Sequence, residues 1–83
     1  LVLGDVMRAT ELKRGQCAIV RCLHLKEGDR RRLSELGISP GKTLIYRGAA
    51  LLRDPLLFET KEALVAVRRK DAQQIEVTDE TLY

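Results

Sequence analysis

Short runs rich in apolar residues, bounded by polar residues, glycine or proline, recur along this 83-residue chain, and such runs are typical of β-strands, whose side chains alternate between two faces. In the clearest run, Ala63, Val65 and Val67 on one face alternate with Leu64 and Ala66 on the other. The pattern predicts strands at about residues 16–23, 43–48, 56–60 and 63–68, with a brief closing strand at 75–77. Because only a short polar turn separates the third and fourth runs, we expect them to pair as a β-hairpin.

One short helix interrupts the strands at about residues 30–36. Asp29 is predicted to cap its start, since an aspartate carboxylate can accept hydrogen bonds from the backbone N–H groups of the first turn. Leu33 and Leu36 lie three residues apart, so we expect them to share the helix face that packs on the strands. The sequence therefore predicts a helix of about two turns.

The segment after the helix contains its own stop and turn signals. Gly37 is predicted to adopt the left-handed conformation of a C′ residue, so that Ile38 packs back on Leu33 as in a Schellman motif. Pro40 and Gly41 suit the two central positions of a type II turn, which reverses the chain into the next strand. The residues expected to serve the fold in this motif are Leu33, Leu36, Gly37, Pro40 and Gly41.

The remaining segments are predicted to connect these elements. Residues 49–55 are expected to form an exposed loop, because Arg53-Asp54-Pro55 is typical of turns and proline cannot donate to a sheet. One helical turn is expected at 71–74. About five short strands and one short helix are too few elements for a parallel sheet with helical crossovers. They favour a mainly β fold, a small antiparallel barrel whose closure protects the sheet edges.

Chain length and charge narrow the functional classes. Eighty-three residues form one domain with a modest core and leave no room for a second core around an enclosed substrate site. The 15 basic residues all precede residue 71, so the body of the chain is basic and its last residues are acidic. Such a body can bind an acidic protein surface, a nucleic acid or anionic lipid. No apolar run approaches the about 20 residues of a membrane span, so we expect a cytoplasmic protein without direct membrane insertion.

Residues that commonly carry catalysis are sparse. His24 is the only histidine, and neither Cys17 nor Cys22 lies in a recognisable nucleophile signature. The two cysteines are predicted to point to opposite faces of a strand, which argues against a disulfide between them and against a zinc site with His24. Residues 37–43 resemble a phosphate-binding loop, but they have one residue too few between the glycines and follow a helix rather than a strand. We therefore expect no enzyme activity, no cofactor and no metal site.

The run Arg30-Arg31-Arg32 is the strongest charge cluster of the chain. Three consecutive helical positions spread over about 200° of the helix circumference, so part of the cluster must be solvated. The chain has only two tyrosines and one phenylalanine, which are too few and too scattered for base stacking. The cluster therefore favours an acidic protein surface over a nucleic acid as the partner.

Several segments together match the pattern of a known family. In chain order they are Leu12-Lys13-Arg14-Gly15-Gln16, Arg31-Arg32-Leu33, Leu36-Gly37-Ile38-Ser39-Pro40-Gly41, Asp54-Pro55, Leu64-Val65-Ala66-Val67-Arg68 and Ala72 with Ile75-Glu76-Val77. With these segments the chain resembles the FeoA family. The resemblance covers residues 10–78, with an N-terminal extension of uncertain order at 1–9 and a C-terminal tail at 79–83. It implies an SH3-like β-barrel that serves bacterial ferrous-iron uptake without being an enzyme. It also implies a cytoplasmic protein that is held at the inner membrane by its partner FeoB, a membrane transporter with a GTPase domain.

The chain departs from the family pattern in two loops. Chains that resemble FeoA often carry glycine before the Asp-Pro pair, where this chain has Arg53, and often carry glycine in the later hairpin, where it has Thr60-Lys61-Glu62. These loops are therefore expected to differ in shape. If either loop contacts the partner, we expect the affinity for the partner, or the choice of partner, to differ from that of other chains that resemble FeoA.

The helix and the turn after it are the candidate partner-binding surface. A capped helix loses little entropy on binding, and arginine suits bidentate contacts with carboxylates. The candidate contact residues are Arg31, Arg32, Glu35, Ser39 and Lys42. Two other interpretations stay open, namely a metal-sensing domain similar to the C-terminal domain of DtxR-like repressors, and a small basic RNA-binding barrel.

Overall fold

A computed structural model describes residues 6–79, which form one antiparallel sheet with short helices. The strands are β1 (Val6–Arg8), β2 (Cys17–Leu23), β3 (Thr43–Ala49), β4 (Leu56–Glu59), β5 (Leu64–Val67) and β6 (Ile75–Asp79). The helices are α1 (Glu27–Glu35) and α2 (Arg69–Ala72), and 3₁₀ turns lie at Ala9–Glu11 and Leu51–Arg53. The strand order is β1-β6-β2-β3-β4-β5, so the last strand of the chain lies between the first two.

The predicted mainly β fold with a short helix is confirmed, with six strands where about five were predicted. The additional strand is β1, which pairs with β6. Residues 1–9, predicted as an N-terminal extension, include this strand and Ala9, which is buried. A strand of three residues shows too little alternation to be recognised from its pattern. Residues 1–5 and 80–83 lie outside the described residues, and they include nearly all of the predicted C-terminal tail.

The core is one cluster of apolar side chains from β2 to β6 and both helices. Phe58 of β4 is fully buried, and its ring centre lies 5.5 Å from that of Tyr46 on β3. Strands β4 and β5 pair as the predicted hairpin. The predicted alternation of β5 is confirmed, since Val65 and Val67 are buried while Leu64 is exposed.

A β-bulge in β2 changes the expected orientation of the cysteines. Between Val20 and Cys22 the register with β6 shifts by one residue, because Arg21 is an extra residue in the strand. Before the bulge the buried residues are the even-numbered Ala18 and Val20, and after it the odd-numbered Leu23 is buried. Cys17 and Cys22 therefore lie on the same outer face, and the prediction of opposite faces was wrong because simple alternation does not reveal a bulge. No disulfide joins the two thiols.

Helix α1 begins at Glu27, earlier than the predicted start near residue 30. Its N-cap is Lys26, whose side chain makes no capping hydrogen bond, so the prediction of Asp29 as the cap was wrong. Asp29 lies in the first turn, where its negative charge interacts favourably with the positive end of the helix dipole. The start of the helix is thus stabilised by charge rather than by a capping side chain.

The predicted end of α1 is confirmed. Ile38 N–H donates to Leu33 C=O at 2.9 Å and Gly37 N–H donates to Ser34 C=O at 3.0 Å, which is the Schellman pattern. Gly37 has a φ of +96°. Leu33 is 2% exposed, but Leu36, expected on the same face, is the C-cap residue and is 37% exposed. Leu33 therefore anchors the helix to the core, and Leu36 lies at its edge.

The turn after α1 is also the one predicted. Lys42 N–H donates to Ser39 C=O at 3.0 Å, and Gly41 has a φ of +88°, as a type II turn across Pro40 and Gly41 requires. Gly41 N–H also donates to the C=O of Val20 in β2 at 2.8 Å. The turn is thereby attached to the strand beside it.

The remaining connections lie near their predicted places. Helix α2 is the helical turn predicted at 71–74, and it begins two residues earlier, at Arg69. The loop between β3 and β4 is exposed, as predicted, and contains a cis peptide bond between Asp54 and Pro55.

Thr78 of β6 carries a buried hydroxyl that should lower stability. The residue is 1% exposed, and its Oγ1 has no hydrogen-bond partner among residues 6–79. Thr78→Val replaces the hydroxyl by a methyl group of similar size, so the free energy of unfolding should rise by about 1 kcal/mol. Urea denaturation measures this change. Thr60→Val is the matched control, since the Thr60 hydroxyl donates to Leu36 C=O and its loss should destabilise. A destabilised Thr78→Val would contradict the description of this site.

Candidate functional site

A groove of about 450 Å³ lies beside α1, bounded by the helix, by β2 and by the turn after the helix. The helix contributes Glu27, Arg30, Arg31, Ser34 and Glu35 to the groove. These positions are spaced i, i+3, i+4, i+7 and i+8, so they form one continuous face of the helix. The groove therefore has one polar and charged wall.

The other wall of the groove is largely apolar. Cys22 and Leu23 of β2 lie there together with Pro40 of the turn. The bulge in β2 precedes these two strand residues and sets which of them faces outward. Apolar groups beside charged groups are the usual arrangement of a protein-binding surface. The apolar groups are buried at its centre, and the charged groups pair at its edge.

The two arginines of the groove are loosely held. Arg31 Nη2 lies 3.5 Å from Glu27 Oε1, and both side chains are mainly exposed. Such exposed pairs contribute little to stability. Arg30 forms no ion pair within residues 6–79. Both guanidinium groups can therefore bind carboxylates of another molecule at little cost to the fold.

The groove brings together three of the five predicted contact residues. Arg31, Glu35 and Ser39 all line it. Arg32 lies on a different side of the helix, where its Nη2 is 3.8 Å from Asp29 Oδ1. Lys42 lies in a separate recess of about 210 Å³, next to Gly37 and the turn between β4 and β5. The predicted set is thus divided between three places on the surface.

Glu27 and Ser34 are absent from the predicted contact residues, and Arg30 was predicted only as part of the arginine run. The sequence does contain a signal for this groove face. From Glu27 onward, polar residues recur at intervals of three and four positions, and residues so spaced share one helix face. A helix predicted to start near residue 30 does not contain Glu27, so this face could not be recognised.

One side chain of the β4–β5 hairpin holds the C-terminal end of α1. Thr60 Oγ1 donates to Leu36 C=O at 2.7 Å and accepts hydrogen bonds from Glu62 N–H and Ala63 N–H, each at 3.1 Å. Gly37 packs so close to this hydroxyl that an added Cβ would lie 2.6 Å from it. The hydroxyl thus joins the helix end to the turn of the hairpin.

A polar cluster lies on the outer face of β2 and β6, next to the groove. His24 Nε2 is 3.2 Å from Glu76 Oε1, and His24 Nδ1 is 3.9 Å from Cys22 Sγ. Arg21 Nε is 3.7 Å from the other oxygen of the Glu76 carboxylate. Within the described part of the chain, no three His, Cys, Asp or Glu side chains are placed to hold a metal ion.

A family model described as the FeoA domain matches residues 7–79. The chain belongs to the FeoA domain family. The resemblance found in the sequence is therefore confirmed. A relative from Porphyromonas gingivalis (strain ATCC BAA-308 / W83), named Fe(2+) transport protein A/Fe(2+) transporter FeoB fusion protein, is 37% identical over 71 residues. These residues are 86% of the FeoA-family chain described here and 8% of the relative.

Solved structures show the same fold. The FeoA protein from Chlorobium tepidum has a TM-score of 0.84 at 34% identity, over 89% of this chain and 70% of that one. A manganese-dependent transcriptional repressor has a TM-score of 0.79 over 95% of this chain and 44% of that one, and at 16% identity this likeness shows the fold alone. The SH3-like fold expected from the resemblance is thus confirmed.

Proposed function

We propose that this FeoA-family protein is a non-enzymatic accessory protein of bacterial ferrous-iron uptake, which binds the cytoplasmic part of a FeoB-type GTPase-permease and modulates it. The relative from P. gingivalis carries the proposal, because a sequence 37% identical to this chain is part of a protein named as a fusion with FeoB. A fused domain stays beside the transporter at a high effective concentration. Where the two are separate chains, a dedicated contact surface must bring them together.

The groove beside α1 is the surface that we assign to this contact. It combines the apolar wall, which contains Leu23 and Pro40, with the charged wall of α1, which contains Arg30 and Arg31. An apolar side chain of the partner would be buried in the groove while partner carboxylates pair with the guanidinium groups. Since the body of the chain is basic, an acidic partner segment would also be attracted before contact.

The helix that forms the groove is ordered before any partner binds. Leu33 fixes its last turn in the core, and the Thr60 hydroxyl holds the carbonyl of the C-cap residue Leu36. A surface that is already ordered loses less conformational entropy on binding. This supports a role of α1 in docking, because even a modest set of contacts then gives useful affinity.

The double variant Arg30→Glu/Arg31→Glu tests the assignment. Reversal of both charges should weaken binding to FeoB by about tenfold or more, since attraction of partner carboxylates becomes repulsion. Binding is measured by titration of the detergent-solubilised FeoB encoded in the same genome. Arg32→Glu is the control on the same helix, because it reverses one charge, half of the change in the double variant, at a position outside the groove. It should leave the affinity nearly unchanged.

Three results would contradict parts of this proposal. Undiminished binding of the double variant would remove the groove as the contact surface. An equal loss in Arg32→Glu would indicate attraction by overall charge rather than docking in the groove. Failure of the unmodified protein to bind FeoB would reject the role as accessory protein. Circular dichroism checks that each variant is folded, which is expected because all three arginines are exposed.

The two alternative functions have no specific observation in their favour. The likeness to a manganese-dependent repressor is at 16% identity and concerns the fold, so it does not favour metal sensing. For RNA binding, exposed aromatic rings would be needed as stacking surfaces. Within residues 6–79 the aromatic side chains are those of Tyr46 and Phe58, which pack on each other, and Phe58 is fully buried.

A further inference from the structure

Two adjacent leucines form the tip of the loop between β3 and β4. Leu51 is 90% exposed and Leu52 is 97% exposed, more than any other large apolar side chain within residues 6–79. Side chains with this exposure add nothing to the core, so fold stability does not explain their presence. Neighbouring apolar side chains that are left in water are typical of an interaction surface.

Hydrogen bonds hold the loop that carries the leucines. Ala50 N–H donates to Pro55 C=O at 2.9 Å, and Arg53 N–H donates to Ala50 C=O at 3.0 Å. From α2, Arg69 Nη2 donates to Arg53 C=O at 2.7 Å, and Arg69 N–H donates to Asp54 Oδ1 at 2.9 Å. Hydrogen bonds within the loop and to α2 therefore fix its conformation.

The backbone at the tip adopts a conformation that disfavours side chains. Leu52 has a φ of 63° and Arg53 a φ of 66°, in the left-handed region where a Cβ is crowded by the backbone. The loop thus presents its leucines outward in spite of a conformational cost.

Basic residues lie next to the leucines in the chain and at the start of the helix that contacts the loop. Arg53 follows the leucines directly, and the run Arg68-Arg69-Lys70 at the start of α2 is docked on the loop through Arg69. Within residues 6–79, these four side chains form no ion pair. Asp54 and Asp71 are the acidic residues in the same segments. The tip therefore combines two apolar side chains with net positive charge.

We propose that this tip binds the surface of an anionic lipid bilayer, with Leu51 and Leu52 inserted among the headgroups and the basic residues in contact with lipid phosphates. Peripheral membrane binding uses this combination, because burial of apolar side chains and attraction to anionic lipid act together. An uncharged apolar pocket of a protein would bury the leucines but leave the four basic side chains without a counter-charge, whereas an anionic bilayer offers an apolar interior and phosphates over one continuous surface. The charge complementarity therefore favours lipid.

The contact would be peripheral. No helix within the described range 6–79 is long and apolar enough to cross a membrane. The expectation of no direct membrane insertion considered only spanning segments, whereas this proposal places two side chains of a loop at the headgroup level.

Co-sedimentation with vesicles tests the proposal. The protein should bind vesicles of phosphatidylcholine mixed with phosphatidylglycerol, and it should bind less to phosphatidylcholine alone or at high salt. Leu51→Ser/Leu52→Ser should lower the partition coefficient by about tenfold or more, because the apolar anchor is lost. Leu64→Ser is the matched control, since Leu64 is 62% exposed but lies at the other end of the β4–β5 hairpin. Its partition should equal that of the unmodified protein.

A fluorescent reporter gives a second measurement. The chain contains no tryptophan, so Leu52→Trp introduces a single indole at the tip. Its emission should shift to shorter wavelength when anionic vesicles are added, because the indole leaves water. The emission of Leu64→Trp should stay unchanged.

Several outcomes would overturn the proposal. These are no binding to anionic vesicles, equal partition of Leu51→Ser/Leu52→Ser and the unmodified protein, or no shift in Leu52→Trp emission. A serine double variant that loses FeoB binding while the unmodified protein ignores vesicles would instead assign the leucines to a protein partner. FeoB binding and vesicle binding are measured separately, so failure of one proposal leaves the other standing.

Discussion

Replacement of Gly37 by alanine should lower the free energy of unfolding by about 3 kcal/mol, the sum of two separate effects. The φ of +96° at Gly37 lies where the Cβ of an L residue is crowded by the backbone, which costs about 1–2 kcal/mol. The added Cβ would also clash with the Glu62 carboxylate and lie 2.6 Å from Thr60 Oγ1 and 2.9 Å from Thr60 Cβ. The helix end and the hairpin would have to move apart, and such overpacking costs about 1–3 kcal/mol.

Gly41→Ala separates the two effects. Gly41 has a similar φ of +88°, but a Cβ added there meets no atom within 4 Å. This variant should therefore lose only the backbone contribution, about 1–2 kcal/mol. Urea denaturation of both variants measures the difference, which is the contribution of the contacts with Thr60 and Glu62. Equal losses would show that these contacts are not as tight as described.

Leu33→Ala should lower the free energy of unfolding by about 3 kcal/mol, because a buried leucine is removed from a packed core and leaves a cavity. Leu33 is 2% exposed and is the buried residue of α1. Its loss removes the contact that holds the groove wall against the sheet. We therefore expect weaker binding to FeoB as well, since the helix must then be ordered when the complex forms.

Leu36→Ala is the control for this prediction. It makes the same chemical change three residues later, at a position that is 37% exposed. The loss of stability should stay below about 1 kcal/mol, because much of the side chain is already in water. Urea denaturation of the two variants gives both values. Comparable losses would mean that Leu33 is not the anchor of the helix.

The end of α1 could be predicted from sequence because its signals are local. Gly37, Pro40 and Gly41 set backbone dihedral angles through their own stereochemistry, whatever surrounds them. The hairpin of β4 and β5 could also be predicted from sequence. Two short apolar runs separated by a polar turn indicate it, and this pattern needs no knowledge of distant residues. The same segments carry the resemblance to the FeoA family.

The start of α1 could not be predicted because no strong local signal marks it. Lys26 is an unusual N-cap, and Asp29 was the better candidate by residue type. Where the helix starts depends on the end of β2 and on the need to bring Leu33 into the core, and both are tertiary effects. For the same reason the groove face was predicted only in part, since its first residue, Glu27, lay outside the predicted helix.

Other features depend on contacts that sequence patterns do not show. The bulge at Arg21 is defined by its register with β6, and β6 is distant in the chain. The loop at 49–55 was predicted to be exposed, but the contact that places Arg69 of α2 against it joins segments distant in the chain. The candidate site was therefore predicted least well where its shape depends on packing between separate segments.

The contact between Gly37 and Thr60 restricts how this chain can change during evolution. Thr60 and the Glu62 carboxylate fill the space that a side chain at position 37 would need, so substitutions at these positions cannot accumulate independently. A lineage must first make room in the hairpin turn before position 37 can accept alanine without a clash. In related sequences, the residue type at the hairpin turn should therefore covary with the one at the helix terminus.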